Sequence, residues 1–113
     1  MVQKSYARSE RIAELIQRTV SKTLLTESRD PRFKMVNITR VELQSDYKKA
    51  YIYVTLLEAD DIQAILKSLN KAAGFFRQAL AKSTELKYTP NLEFIYDETI
   101  LKASHLHQMI DDI

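Results

Sequence analysis

Apolar side chains recur at helical spacing early in the chain, at Ile12, Leu15, Ile16, Val20 and Leu24. Steps of three and four residues place such side chains in one row on a 3.6-residue helix. The row predicts a first helix from residue 5 or 9 to residue 27, with Ser9 placed to cap its N-terminus. That helix should stop before Pro31, because the residue preceding a proline disfavours the helical region, and the RDPR run at 29–32 reads as a turn. Two alternating runs follow. Val36, Ile38, Val41 and Leu43 change phase between Ile38 and Val41, which predicts a β-bulge there. Ala50, Ile52, Val54 and Leu56 alternate without interruption and turn Tyr51, Tyr53 and Thr55 to the other face. The QSDYKK segment between the runs supplies turn residues, so they form a hairpin.

The acidic stretch at 58–61 is a helix start signal, and a second apolar arc begins behind it with Ile62, Ile65, Leu66, Leu69, Ala73, Phe76 and Leu80. Lys67, Lys71, Gly74, Gln78 and Lys82 fall on the opposite side of a straight helix over 62–84, a stretch with no acidic residue. Gly74 is the only glycine in the chain. An interior helical glycine costs about 0.8–1.0 kcal/mol relative to alanine. On an outward face it gains no packing in return, so either a kink or the close approach of another molecule to the backbone is expected. Beyond Pro90, Leu92, Phe94 and Tyr96 alternate with Glu93, Ile95 and Asp97 as a third strand. From Thr99 onward, Ile100, Ala103, Leu106 or His107, Ile110 and Ile113 have the spacing of a terminal helix. The order α, β, β, α-α, β, α predicts a single α+β domain over residues 1–113, with helices on one face of a three-stranded sheet. The third strand is expected beside the first and parallel to it.

A length of 113 residues with 45% hydrophobic content supports one core and gives no case for a second. Cysteine is absent, which excludes disulfides and thiolate metal sites and fits a reducing cytoplasm. Neither a signal-type apolar run nor 18 consecutive apolar residues occurs, so the chain reads as soluble and cytoplasmic, with no membrane partner. The net charge of +2 conceals an uneven distribution. Residues 1–49 carry eleven Lys and Arg against six Asp and Glu; residues 50–113 carry six against nine, with four of those six cations inside 62–84. Arg11, Arg18 and Lys22 form a second cationic row on the first helix, with Glu14 nearby. This asymmetry suits a protein that meets a polyanion on one side, while a solvated face of mixed charge stays open as the plainer reading.

One glycine permits no phosphate-cradling loop and no nucleophile elbow of the usual kinds. His105 and His107 stand two apart, where helical neighbours are three or four apart. The pairs Asp60-Asp61 and Asp111-Asp112 sit near helix ends, where capping explains them. No catalytic residue, metal ligand set or cofactor site emerges, which argues against an enzyme. Nucleic-acid binding fits better: Lys and Arg along a helix supply phosphate contacts, and a glycine among them lets a phosphate or sugar approach the backbone. Phe75 leaves the apolar arc, and Tyr51 and Tyr53 point outward from the hairpin; each is placed to stack on an unpaired base or simply to pack.

Five segments carry a family resemblance: SERIAELIQRTVSKTL, RDPR, TRVELQSDYKKAYIYVTLL, the AAG at 72–74 followed by FFRQALAK, and LKYTPNLEFIYDETI. In this order and spacing the chain resembles the bacterial ribosome-binding factor A family over nearly its whole length. The resemblance implies a type II KH-like fold (α-β-β-α-kink-α-β, with a C-terminal helix and a mixed three-stranded sheet). In it a helix-kink-helix built on Ala72-Ala73-Gly74 replaces the usual GxxG loop. It further implies a monomer that binds the free 30S subunit and its 16S rRNA, assists late maturation including 5′-end processing, supports growth in the cold and catalyses nothing. Lys87 and Asn91 depart from residues common in the family, and the chain ends without the longer charged tail of some members. Within this reading Lys67, Lys71, Arg77 and Lys82 contact phosphates, and Ala72 and Gly74 shape the kink. Arg11, Arg18, Lys22, Arg29 and Arg32 extend the RNA-binding surface. Two alternatives stand beside it: a KH-like module that docks acidic proteins away from the ribosome, and a metal-assisted nuclease using Asp60 or Asp97.

Overall fold

A computed structural model describes residues 2–26, 29–57, 61–83 and 86–99. Helix α1 (Val2–Thr26) turns the first apolar row inward: Ile16, Val20 and Leu24 are buried, and Ile12 packs against them. It begins at Val2, so Ser9 lies in its interior and does not cap it. Residues 2–10 contain neither glycine nor proline and are mostly good helix formers, so nothing stops the helix from propagating back past the serine. The RDPR turn is a 3₁₀ helix (Pro31–Met35) with the proline at its first position. Asp30 caps it by accepting the Arg32 N–H at 3.0 Å, and Phe33 drops from it into the core.

Strands β1 (Val36–Leu43) and β2 (Lys49–Leu56) form the antiparallel hairpin. Ile38 pairs with Val54 and Val41 with Ile52, and the register shifts between Ile38 and Arg40, so Thr39 is the extra residue of the expected bulge. Strand β3 (Asn91–Tyr96) does not lie beside β1. It pairs in parallel with β2, and the sheet order is β1-β2-β3. The expectation failed because β2 is the unbroken strand: Ala50, Ile52 and Val54 have no exposed surface, and its backbone supports a ladder on both edges. The bulge interrupts β1, and a crossover that leaves the end of β2 most directly returns next to β2 itself.

That crossover is the helix pair α2 (Ile62–Lys71) and α3 (Ala73–Ser83). Asp61 caps α2, its Oδ1 accepting the Ala64 N–H at 3.0 Å. The helices cover one face of the sheet, where Ile65, Leu69, Phe76 and Leu80 meet Ile52, Val54, Leu92 and Phe94. Phe76 lies among three other aromatic rings, with centroids 5.4 Å from Phe94, 5.6 Å from Phe75 and 6.1 Å from Phe33. This arrangement of helices on a mixed sheet is the α+β order the resemblance implied. The expected terminal helix, with its histidines and Asp111-Asp112, lies outside the described residues, as does Asp60.

Two polar contacts tie the ends of elements together. β3 is an edge strand, and the Asn70 side chain of α2 occupies its free side: Nδ2 donates to the Phe94 carbonyl at 3.1 Å while Oδ1 accepts the Phe94 N–H at 2.8 Å. At the end of β3, the buried Asp97 carboxylate accepts the Thr39 hydroxyl at 2.5 Å and the Thr99 N–H at 3.0 Å. These bonds hold the Asp97 carboxyl down at about 2, with the Thr39 bond the largest cause. The bulge residue therefore serves as an anchor for the last strand.

Candidate nucleic-acid interface

The break between α2 and α3 falls at Ala72, with φ −88° and ψ 3°, and its N–H is shared between the Ser68 carbonyl at 3.0 Å and the Leu69 carbonyl at 3.1 Å. Phe75 and Phe76 in turn donate to the Ala72 carbonyl at 2.9 and 3.2 Å, which starts the new helix at once. Helical phase is kept through the bend, since Leu69, Phe76 and Leu80 remain buried together. Gly74 follows on the exposed side of the first turn of α3. Its φ is not positive, and a Cβ built on it would meet nothing within 4 Å. The described fold gives this glycine no internal reason to be a glycine.

The bend forms one wall of a groove of about 620 Å³ whose other wall is the segment after α1. Lys71, Ala72 and Phe75 line it from the bend, and Arg29, Asp30 and Phe33 from the other wall. Phe75 is 44% exposed, while its neighbour Phe76 is buried. Asp30 does not leave the groove acidic, because its carboxylate binds Arg32 at 2.7 Å. The Arg32 hydrogen bond holds the Asp30 carboxyl below the usual carboxylate range, and the same bond raises Arg32. Arg32 also donates from Nη2 to the Ser68 Oγ at 2.8 Å, which pins the 3₁₀ helix to α2. Its guanidinium is thus committed to shaping the groove.

The straight stripe expected along 62–84 is divided by this geometry. Lys67 and Lys71 stay exposed on α2, with Lys71 at the bend groove. Arg77 turns to the segment before β3, where its Nε and Nη2 donate to the Thr89 carbonyl at 3.2 and 3.0 Å. Lys82 faces α1 instead and lines a groove of about 410 Å³ with Arg18 and Lys22. Arg11 is exposed on α1. Of the eleven residues singled out from the sequence, the structure brings together Arg29, Lys71 and Ala72 at the bend, and Arg18, Lys22 and Lys82 between the helices.

The outward tyrosines lie on the face of the sheet away from the helices. The Arg40 guanidinium sits 3.9 Å from the Tyr53 ring centre, and the Tyr53 hydroxyl donates to Glu42 at 3.1 Å. The Lys49 ammonium lies 5.2 Å from the Tyr51 ring centre and 3.5 Å from Glu93. Both rings therefore have cationic partners from their own sheet. Asp97, the described member of the proposed nuclease pair, is committed to Thr39 and Thr99. Among the described residues there is no group of three or more His, Cys, Asp or Glu that could hold a metal ion. No described helix is long and apolar enough to cross a membrane. Sequence reasoning missed Ser68 and Asn70, polar residues whose partners lie 36 and 24 positions away, beyond any local pattern.

Similarity to known proteins agrees with this architecture. The family model described as Ribosome-binding factor A matches residues 8–110. A ribosome-binding factor A of Saccharophagus degradans is 40% identical over 111 residues, covering 96% of this chain and 87% of that one. A solved structure from Thermotoga maritima is 33% identical with a TM-score of 0.70, over 81% of this chain and 89% of that one. A homology model of the Thermus thermophilus ribosome binding factor A, fitted into the cryo-EM map of its 30S complex, shares the fold, with a TM-score of 0.61 and 23% identity over 74% of this chain and 88% of that one. With a family match over nearly its whole length and the helix-bend-helix in place at Ala72, the chain belongs to the ribosome-binding factor A family.

Proposed function

We propose that this protein is a non-catalytic assembly factor of the bacterial cytoplasm that binds the free 30S subunit through 16S rRNA. In this reading it assists late maturation of that RNA, including processing of its 5′ end. Family membership supports the ribosomal partner, as does the 30S complex of the Thermus thermophilus relative. The RNA contact surface is the helix layer. Lys67, Lys71 and Arg29 meet phosphates around the bend at Ala72, Gly74 leaves the backbone there open to close approach, and Arg11, Arg18, Lys22 and Lys82 extend the cationic surface along α1 and α3. Arg77 and Arg32 act mainly by holding the neighbouring segments in place, through Thr89 and through Asp30 with Ser68.

The observation that carries the assignment is Gly74, which stands in open space beside exposed lysine on an acid-free helix pair. A backbone without a Cβ allows a sugar or phosphate to come close. Gly74→Ala separates fold from function. Replacing a glycine by alanine at a compatible helical position stabilises a protein by about 0.4–1 kcal/mol. Here that gain should come together with weaker binding to purified 30S subunits. Lys71→Ala should lower the slope of log affinity against log salt by roughly 0.7–0.9 per lost phosphate contact. A Gly74→Ala protein that melts higher and binds 30S subunits as tightly as the unaltered chain would remove the bend from the interface.

A further inference from the structure

Phe75, Ala79 and Lys82 follow one another at i, i+4 and i+7, on one face of α3. Phe75 lines the bend groove, whereas Ala79 and Lys82 line the groove against α1. Opposite them, Arg29 and Phe33 lie across from Phe75, and Arg18 and Lys22 lie across from Lys82. The facing segments therefore run in opposite directions, and the two grooves lie one after the other beside this face of α3, a line called the seam below. The seven steps from Phe75 to Lys82 span about 10 Å at 1.5 Å per residue.

The chemistry of the seam is graded. One end is aromatic and half open. Phe75 keeps 44% of its surface exposed, and its ring is steadied against Phe76, which is itself fixed by Phe33 and Phe94. The other end is cationic, with Arg18, Lys22 and Lys82 around a floor that includes Thr19 and Ala79. No ion pair engages these three cations among the described residues. Glu14, one helical turn before Arg18, is not part of the lining. The recess of about 410 Å³ between α1 and α3 takes part of one strand, whereas a duplex meets it only at its phosphate rim.

We propose that the seam between α1 and α3 carries a single unpaired RNA strand, with one base stacked on Phe75 and the adjoining phosphates held by Arg18, Lys22 and Lys82. The inference rests on the RNA-binding reading above and names the form of RNA and a residue, Phe75, outside the cationic set. Stacking on an exposed aromatic ring is tolerant of base identity, whereas a duplex keeps its bases inside its own stack. The seam therefore selects unpaired segments over helical ones.

Fluorescence anisotropy with a labelled 12-nucleotide oligouridylate, and with an RNA hairpin duplex of matched length, tests this on the full chain. Phe75→Leu should weaken binding of the single strand roughly tenfold and leave the duplex unchanged, and Phe75→Tyr should restore it. Lys22→Ala with Lys82→Ala should lower the salt slope on the single strand by about 1.4, at roughly 0.7 per phosphate contact. These lysines are exposed, so that variant remains informative should Phe75→Leu disturb the fold. Single-strand affinity unchanged in Phe75→Leu, or equal losses on strand and duplex, overturns the stacking. An unchanged salt slope in the double lysine variant overturns the phosphate track. Polyglutamate that binds as tightly as the RNA strand, with the same response to both variants, overturns RNA as the occupant in favour of an acidic protein. Binding of 30S subunits that still depends on Gly74 and Lys71 while the seam variants bind normally refutes this inference and the extension of the contact surface to Lys22 and Lys82, and leaves the bend as the RNA contact. Loss of the Gly74 and Lys71 dependence refutes the broader reading.

Discussion

Replacing Asn70 by alanine tests how the bend is held to the sheet. Asn70 is the penultimate residue of α2, and its side-chain amide closes two hydrogen bonds, 2.8 and 3.1 Å, with the N–H and carbonyl of Phe94. A net hydrogen bond contributes about 0.5–1.5 kcal/mol, so the pair supplies about 1–3 kcal/mol. Asn70 itself is exposed, and water reaches the vacated Phe94 groups more easily than in a sealed core, so the lower half of that range applies. A loss of about 1.5 kcal/mol corresponds to a fall in melting temperature of about 6 °C at this chain size. Urea unfolding should show the midpoint moving down with the slope unchanged, and hydrogen exchange should show faster exchange at the Phe94 amide. Asn70→Asp refines the test. Its carboxylate still accepts the Phe94 N–H but sets a second acceptor against the Phe94 carbonyl, so part of the lost stability should return as the carboxyl is protonated below about pH 4. If Asn70→Ala melts within about 1 °C of the unaltered protein and the Phe94 amide stays protected, the side chain contributes nothing to the edge of the sheet.

Asp97 supplies a second prediction. Its folded-state pKa of about 2 lies below the ordinary value of 3.8, so its bonds stabilise the fold above the ordinary value, and that stability is lost as pH falls from near 4 through 2. Thr39→Val removes the principal donor, and its plot of stability against pH should be shallower across that window, as read by urea unfolding at successive pH values. Arg29 and Arg32 should separate despite their closeness in sequence. Arg32→Ala should lower the melting temperature, because the link from Asp30 to Ser68 is cut, whereas Arg29→Ala should leave melting unchanged and reduce only the affinity for 30S subunits and its salt slope.

Much of the architecture was legible because it depends on local periodicity. The apolar row through Ile16, Val20 and Leu24, the clean alternation of β2 and the change of phase near Thr39 each translate directly into a buried face. Helical phase survived the bend at Ala72, so the inward residues of 62–84 were identified even on a straight wheel. Ser9 misled because capping residues act only where a helix actually ends, and nothing upstream of it stops the helix. The partner of β3 was illegible because a strand pattern records which face is buried and carries no record of which edge is paired.

For the candidate interface the division is sharper. Composition and position on one helix already carry the charges, the absence of acid from 62–84, the lone glycine and the departure of Phe75 from the apolar arc. Which cations lie near one another is set by the tertiary structure. It joined Lys82 to Arg18 and Lys22 across the α1–α3 seam and sent Arg77 to Thr89. It also drew Arg32 into Asp30 and Ser68. The physical reason is that charge grouping depends on the angle at which separate helices meet, and that angle is set by core packing around Phe76 and by the Asn70 clamp, contacts between residues far apart in the chain.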